Sequence, residues 1–127
     1  MTRTLFDRNI SRRIREKVVK GSLEAVVLAL VEDQPRTGYG IIASIFSSFD
    51  LLLSPGTVYP LLKFLESRGF IEGVSVGRAR MFKLRGSGRT LLVDLRLEYN
   101  EAQRLVSRVL GVKPKEKPIG LDERIRA

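Results

Sequence analysis

The stretch SPGTVYPLLKFLESRGF, from Ser54 to Phe70, constrains this chain more than any other. Ser54 is expected to cap a helix, with Pro55 at its first position, where a missing N–H costs nothing. Val58, Leu61, Leu62 and Leu65 fall on one apolar face. At 3.6 residues per turn, Gly56, Pro60, Lys63 and Ser67 lie opposite. Tyr59 flanks that outer face on one side, and Thr57 and Phe64 flank it on the other. Pro60 points outward, where a lost hydrogen bond and a slight kink do least harm to a core. Gly69 is expected to end the helix. A helix built this way needs a core behind it. Its small-residue front is suited to something other than that core.

The preceding sequence supplies the core. SLEAVVLALVEDQ has Ser22 as its expected cap and Leu23, Val26, Val27, Leu30 and Val31 on a buried face, widened by Ala25, Leu28 and Ala29. PRTGYG is expected to be a loop. From Thr37, a second helix turns Ile41, Ile42, Ile45, Phe46 and Phe49 inward, and DLLLS follows as a short connector. After the Ser54 helix come FIEGVSV and RMFKL, strand-like runs around a turn at Gly77, with Arg78 and Arg80 near its tip. They predict a two-stranded hairpin that packs on the helices, because a lone hairpin is marginal in water.

Two further helices flank this unit. Phe6, Ile10, Ile14 and Val18 recur every four residues on an otherwise Arg- and Lys-rich segment ending near Gly21. Such a helix must lie on something to be stable. Packing against a partner's long helix and lying along DNA both fit it. From Ser87 to Leu110, the residues Leu92, Leu95, Tyr99, Ala102, Val106 and Val109 alternate spacings of three and four, a heptad seam. At 1.5 Å per residue that helix is ~36 Å long, too long for so small a domain to bury. A dimer partner is therefore expected on it. The predicted organisation is a basic helix (1–20), a compact domain (21–86), a dimerisation helix (87–110) and a tail with little fixed structure (111–127).

The charge balance narrows the partner. The 127 residues carry 23 Lys+Arg against 14 Asp+Glu, a formal net charge of +9. Nucleic acid is the first expectation, ahead of an acidic membrane surface or a basic face that only aids solubility. No cysteine or histidine occurs. That excludes disulfides, thiolate nucleophiles, Cys/His zinc sites and imidazole acid–base chemistry. No group of residues assembles a nucleophile, a base and an orienter, so no enzyme, catalytic residue, metal or cofactor is expected. No apolar run approaches the ~20 residues of a membrane span. The Arg-rich start lacks the apolar stretch of a secretory signal. A cytoplasmic, nucleoid-associated protein is expected.

The fold class expected is mostly α with a small β-hairpin. Three short helices followed by a hairpin is the order of a winged helix-turn-helix, here with a long C-terminal dimerisation helix. In that architecture the third helix enters the major groove of DNA. Ser54, Thr57, Tyr59 and Lys63 offer donors for phosphates or base edges, and Gly56 lets the backbone approach. Tyr39, at the start of the preceding helix, is a further candidate. Arg78 and Arg80 are candidates for phosphate or minor-groove contact from the wing.

GSLEAVVLALVEDQPRTGYGI, LSPGTVYPLLKFLESRGFIEG and MFKLRGSG closely resemble the PadR family of transcriptional regulators, over roughly residues 20 to 110. The specific parts are Gly38-Tyr39 and the run from Ser54 to Leu62. The resemblance implies a dimeric winged-helix repressor whose third helix reads a pseudo-palindromic operator in double-stranded DNA. Members often respond to small molecules near the dimer interface; with no Trp in this chain, the indole-lined pocket of some members cannot form. Where members show Tyr-x-Leu-Thr before the last helix, this chain has Phe82, Lys83, Leu84 and Arg85. Arg85 lacks a capping hydroxyl, leaving Ser87 to take that role. From the residues alone, a winged helix used as a protein-interaction module and a non-specific chromatin-type DNA binder stand as alternatives.

Overall fold

A computed structural model of the chain describes residues 5–113, with side chains described from residue 9 onward. Residues 114–127 of the expected tail and the side chain of Phe6 lie outside it. In chain order the elements are α1 (Leu5–Gly21), α2 (Leu23–Asp33), β1 (Arg36–Thr37), α3 (Gly38–Phe49), α4 (Pro55–Ser67), β2 (Ile71–Val76), β3 (Ala79–Leu84) and α5 (Gly86–Leu110).

The core is where the apolar faces of α2, α3 and α4 meet. Val27 and Leu28, Ile41 and Ile45, and Val58, Leu62 and Leu65 are all fully or almost fully buried. Burying a side chain of this size is worth ~1.5–3 kcal/mol relative to exposure, so this cluster dominates the stability. Phe46 departs from its expected inward position: it is 49% exposed, because Ile41, Ile42 and Ile45 already fill the buried arc of α3. Asp50 ends α3 in the left-handed conformation, which Asp tolerates better than most residues. The connector then runs extended, with Leu51 and Leu53 buried and Leu52 facing out.

The hairpin forms as expected around Gly77, whose positive φ suits the first central position of a two-residue turn. It is not alone, however. Arg36 and Thr37, expected in a loop, pair with Phe82 and Met81, giving a three-stranded antiparallel sheet in the order β1-β3-β2. The Arg36 side chain secures that short strand, donating to the carbonyl of Leu30 and the hydroxyl of Ser44 and pairing with Asp33. Ile71 and Phe82 carry the sheet into the core.

Three expected serine caps are arranged differently. Ser22 turns its hydroxyl back to the carbonyl of Val18, and the backbone N–H of Ser22 reaches Val18 and Val19, so α1 runs almost directly into α2. Ser54 occupies the N-cap position of α4, but its hydroxyl meets that of Thr57 at 3.1 Å rather than a backbone N–H. Ser87 lies inside α5, which begins at Gly86 with Arg85 in the cap position; its hydroxyl donates to the carbonyl of Gly69 at 2.7 Å. Gly69 itself ends α4 as expected. Its N–H bonds to Glu66 and that of Phe70 to Leu65, the paired bonds of a Schellman turn.

The α5 seam divides in two. Leu92 is 1% exposed and packs in the chain's own core, so it does not stand open as a dimer surface; Leu95 is half-buried against that core and lines an apolar groove. Tyr99, Val106 and Val109 are exposed, Val109 to 87%. On α1, Ile10, Ile14 and Val18 are exposed as well. Where α5 leaves the sheet, Gly88 is buried, and a Cβ there would collide with the carbonyl oxygen of Phe70 and lie 2.7 Å from Leu84. Gly88→Ala is therefore expected to cost about 1–3 kcal/mol, the range of an overpacked core. Urea unfolding should show a lower midpoint at unchanged slope.

Candidate nucleic-acid interface

Helix α4 buries Val58, Leu62 and Leu65 and leaves Ser54, Gly56, Pro60 and Lys63 exposed; Thr57 is half-buried. Gly56 is informative because the fold does not require it. A Cβ there would meet only the Ser54 hydroxyl, at an ordinary 3.8 Å. Pro60 has no N–H to give the Gly56 carbonyl, and both residues lie on the exposed side of the helix. The first turns of α4 therefore present bare backbone at the surface.

Tyr59 and Gly38 bring α3 to the same face. A Cβ on Gly38 would lie 2.5 Å from the Tyr59 ring, so the ring rests directly on the backbone of the first turn of α3. Tyr59 is thus part anchor and part surface. Tyr39, the next residue along, is 74% exposed, and its ring stands free beside this contact. Thr37 caps the turn, accepting from the N–H of Gly40 at 3.0 Å.

The wing completes the face. Arg78 sits in the exposed turn and makes no ion pair among the described residues. Arg80 differs from the free tip cation that its position suggests. Strand pairing places Arg80 opposite Ser75 and Phe82 opposite Gly73, so Arg80 shares the inner face of the wing with buried Phe82 and Ile71. From there its guanidinium binds the carboxylate of Glu66, which also accepts the N–H of Gly73 at 3.1 Å. The Arg80 hydrogen bond holds the Glu66 carboxyl below its ordinary pKa, partial burial opposes this, and the Gly73 N–H assists. Glu66, Gly73 and Gly38 were not legible as site residues. The single signal was Gly38 next to Tyr39 in the quoted motif.

A second concavity lies on the far side. An apolar groove of about 210 Å³ runs between α1, α2 and α5, lined among others by Val18, Val26, Phe49, Leu92, Leu95 and Tyr99. Arg96 stands at its edge, paired with Glu32 at 2.8 Å. Among the described residues no acidic cluster suits a metal ion, and no helix is long and apolar enough to cross a membrane.

The model of the transcriptional regulator PadR-like family matches residues 27–93. No curated protein sequence gives a significant match. Among solved structures, a PadR-like transcriptional regulator from Bacillus cereus is 20% identical, with a TM-score of 0.67 over 76% of this chain and 99% of its own. A transcriptional regulator from Clostridium thermocellum is 19% identical, also with a TM-score of 0.67, over 72% of this chain and 93% of its own. A Streptococcus mutans protein is 26% identical, with a TM-score of 0.61 over 74% and 91%. The mostly helical winged-helix fold is common to them.

Because Tyr59 rests on Gly38, Gly38→Ala should displace the ring without unfolding the core. The expected result is a shift of the Tyr59 ring resonances with a stability loss of about 1 kcal/mol. Unchanged Tyr59 resonances would show that the ring does not depend on this contact.

Proposed function

The chain belongs to the PadR-like family of transcriptional regulators, and from that premise we propose that it is a homodimeric, sequence-specific binder of double-stranded DNA that acts as a repressor. The observation that carries this reading is the exposed front of α4, where Gly56 is small for no reason internal to the fold. A bare helix front lets backbone approach a base edge or phosphate closely. Thr57, Tyr59 and Lys63 then supply donors along the groove, Ser54 and Tyr39 reach flanking phosphates, and Arg78 lies over the neighbouring backbone from the wing. The net charge of +9 supplies the long-range attraction. Such a regulator works where the genome is, in the cytoplasm.

The open apolar surfaces support the dimer. The last turns of α5 carry Tyr99, Ala102, Val106 and Val109 beyond the chain's own core, and α1 carries a second exposed apolar stripe. A two-fold axis along α5 covers both copies of its stripe at once. Two α4 helices then meet successive major grooves, ~34 Å apart. Selection of bound sequences from a random DNA pool tests the reading: a two-fold symmetric motif is expected, and an unpaired half-site at every protein concentration would overturn the dimer.

Two substitutions separate binding from folding. Gly56→Ala relieves the entropic cost of a helical glycine and should raise stability by ~0.5–1 kcal/mol while weakening binding to the selected duplex. Unchanged affinity would remove α4's front from the interface. Val106→Glu buries a charge in the proposed seam, at a cost of several kcal/mol to association. It should sediment as a folded monomer that keeps only weak, salt-sensitive DNA binding. Leu95 is unsuited to this test because a charge there also breaks the chain's own core.

A further inference from the structure

The wing is an exposed hairpin, and a mobile wing would place Arg78 at many positions. Among the described residues, one side chain of α4, Glu66, ties it down through two hydrogen bonds. Glu66 lies in the last turn of α4, where the negative end of the helix disfavours a carboxylate. Its Oε2 is nevertheless committed to the wing, accepting from both Arg80 and the N–H of Gly73. Strand β2 is an edge strand, bonded only to β3. With Val76 and Ala79 flanking a two-residue turn, the N–H of Gly73 points away from β3, toward that edge. Glu66 therefore caps a free edge donor. To arrive there, Arg80 must cross β2 diagonally. It does so over Gly73, where a Cβ would collide with the guanidinium. Residue 73 is a notch through which the wing's own arginine reaches the recognition helix.

We propose that Glu66, Gly73 and Arg80 form a latch that sets the wing's position relative to α4, so that Glu66 is a positioning residue for duplex binding and Arg80 acts through it rather than on a phosphate. This rests on the duplex-binding reading above and assigns that surface an acidic residue as a functional part. It makes a prediction of unusual sign. Removing a carboxylate near a polyanion ordinarily strengthens binding, since it removes repulsion. Here Glu66→Ala weakens it, because the wing loses its register.

The test measures affinity for the pool-selected duplex, and for an unrelated duplex, across salt concentrations. Glu66→Ala, Arg80→Ala and Gly73→Ala are each expected to lose roughly five- to thirtyfold on the selected duplex. The double variant Glu66→Ala/Arg80→Ala should be no worse than either single one. Gly73→Ala keeps every charge and so isolates geometry. In all of them the slope of log K against log salt should stay within error of the wild-type value. In Glu66→Ala the Gly73 amide should also lose hydrogen-exchange protection, with the thermal transition of the core preserved. The latch is overturned if Glu66→Ala tightens binding while Arg80→Ala lowers the slope by about 0.9, the signature of a lost phosphate contact on B-DNA. It is equally overturned if all variants bind as wild type does. Wild-type protein that selects no duplex overturns the duplex-binding reading itself. Because amide exchange needs no DNA, it then still shows whether the latch exists.

Discussion

The carbonyl of Phe70 is the point at which α4, the sheet and α5 are joined. It accepts the N–H of Arg85 at 3.0 Å, just before α5, and Gly88 packs against it one turn later. The N–H of the same residue closes the end of α4 on Leu65, and the neighbouring Gly69 carbonyl accepts from Ser87. Gly69 is in the left-handed conformation that lets the chain reverse there. Polar groups of two consecutive residues are thus satisfied by α4, by α5 and by Arg85 between β3 and α5. Neither helix can rotate there without leaving a backbone group unpaired, which costs more than the bond itself contributes. Shape at this junction also penalises any residue larger than glycine at position 88.

The wing depends on a different kind of restraint. Its inner residues Ile71 and Phe82 are buried, but from Gly73 outward toward the turn the apolar packing gives out, and Val74 and Val76 are exposed. Beyond that point, among the described residues, strand pairing and the contact with Glu66 hold it. β1 adds two backbone pairs on the opposite edge, steadied by Arg36. The wing is therefore rigid at its base through packing and placed at its outer half through polar contacts, which water and ions can contest.

Much of this was legible in the sequence, for identifiable reasons. The buried faces of α2 and α4 repeat at helical spacing, so Val27, Leu62 and Leu65 could be placed inside from periodicity alone. β1 could not, since two residues have no period and their partners Met81 and Phe82 are far along the chain. The serines went astray because a hydroxyl takes the nearest acceptor in space: the Gly69 carbonyl that Ser87 finds is brought there by the fold. The seam on α5 showed a correct spacing but not which surface it faces; Leu92 meets the chain's own core and Val109 meets none of it. For Arg80 the missing information was parity. Being opposite Ser75 turns it inward, and a one-residue change of register would have turned it out.

In the proposed dimer, these features together link the position of α4 to the far end of α5. From the Phe70 junction to Val109 the helix runs about 32 Å at 1.5 Å per residue. It is clamped at its start and carries its open apolar stripe at its end. In the proposed dimer, with a partner holding Val109 fixed, a tilt of only about 5° would move Gly88, and α4 with it, by about 3 Å over that length. That is close to the ~3.4 Å spacing of successive bases along one strand. The apolar groove lies beside this lever, lined by Leu92, Leu95 and Tyr99, where the helix passes from the core to the open surface. How tightly α1 and α2 close on those three side chains therefore bears on the spacing between the two α4 helices of a dimer. In the dimer proposed above, the separation of the two α4 helices is thus set through the packing of α5.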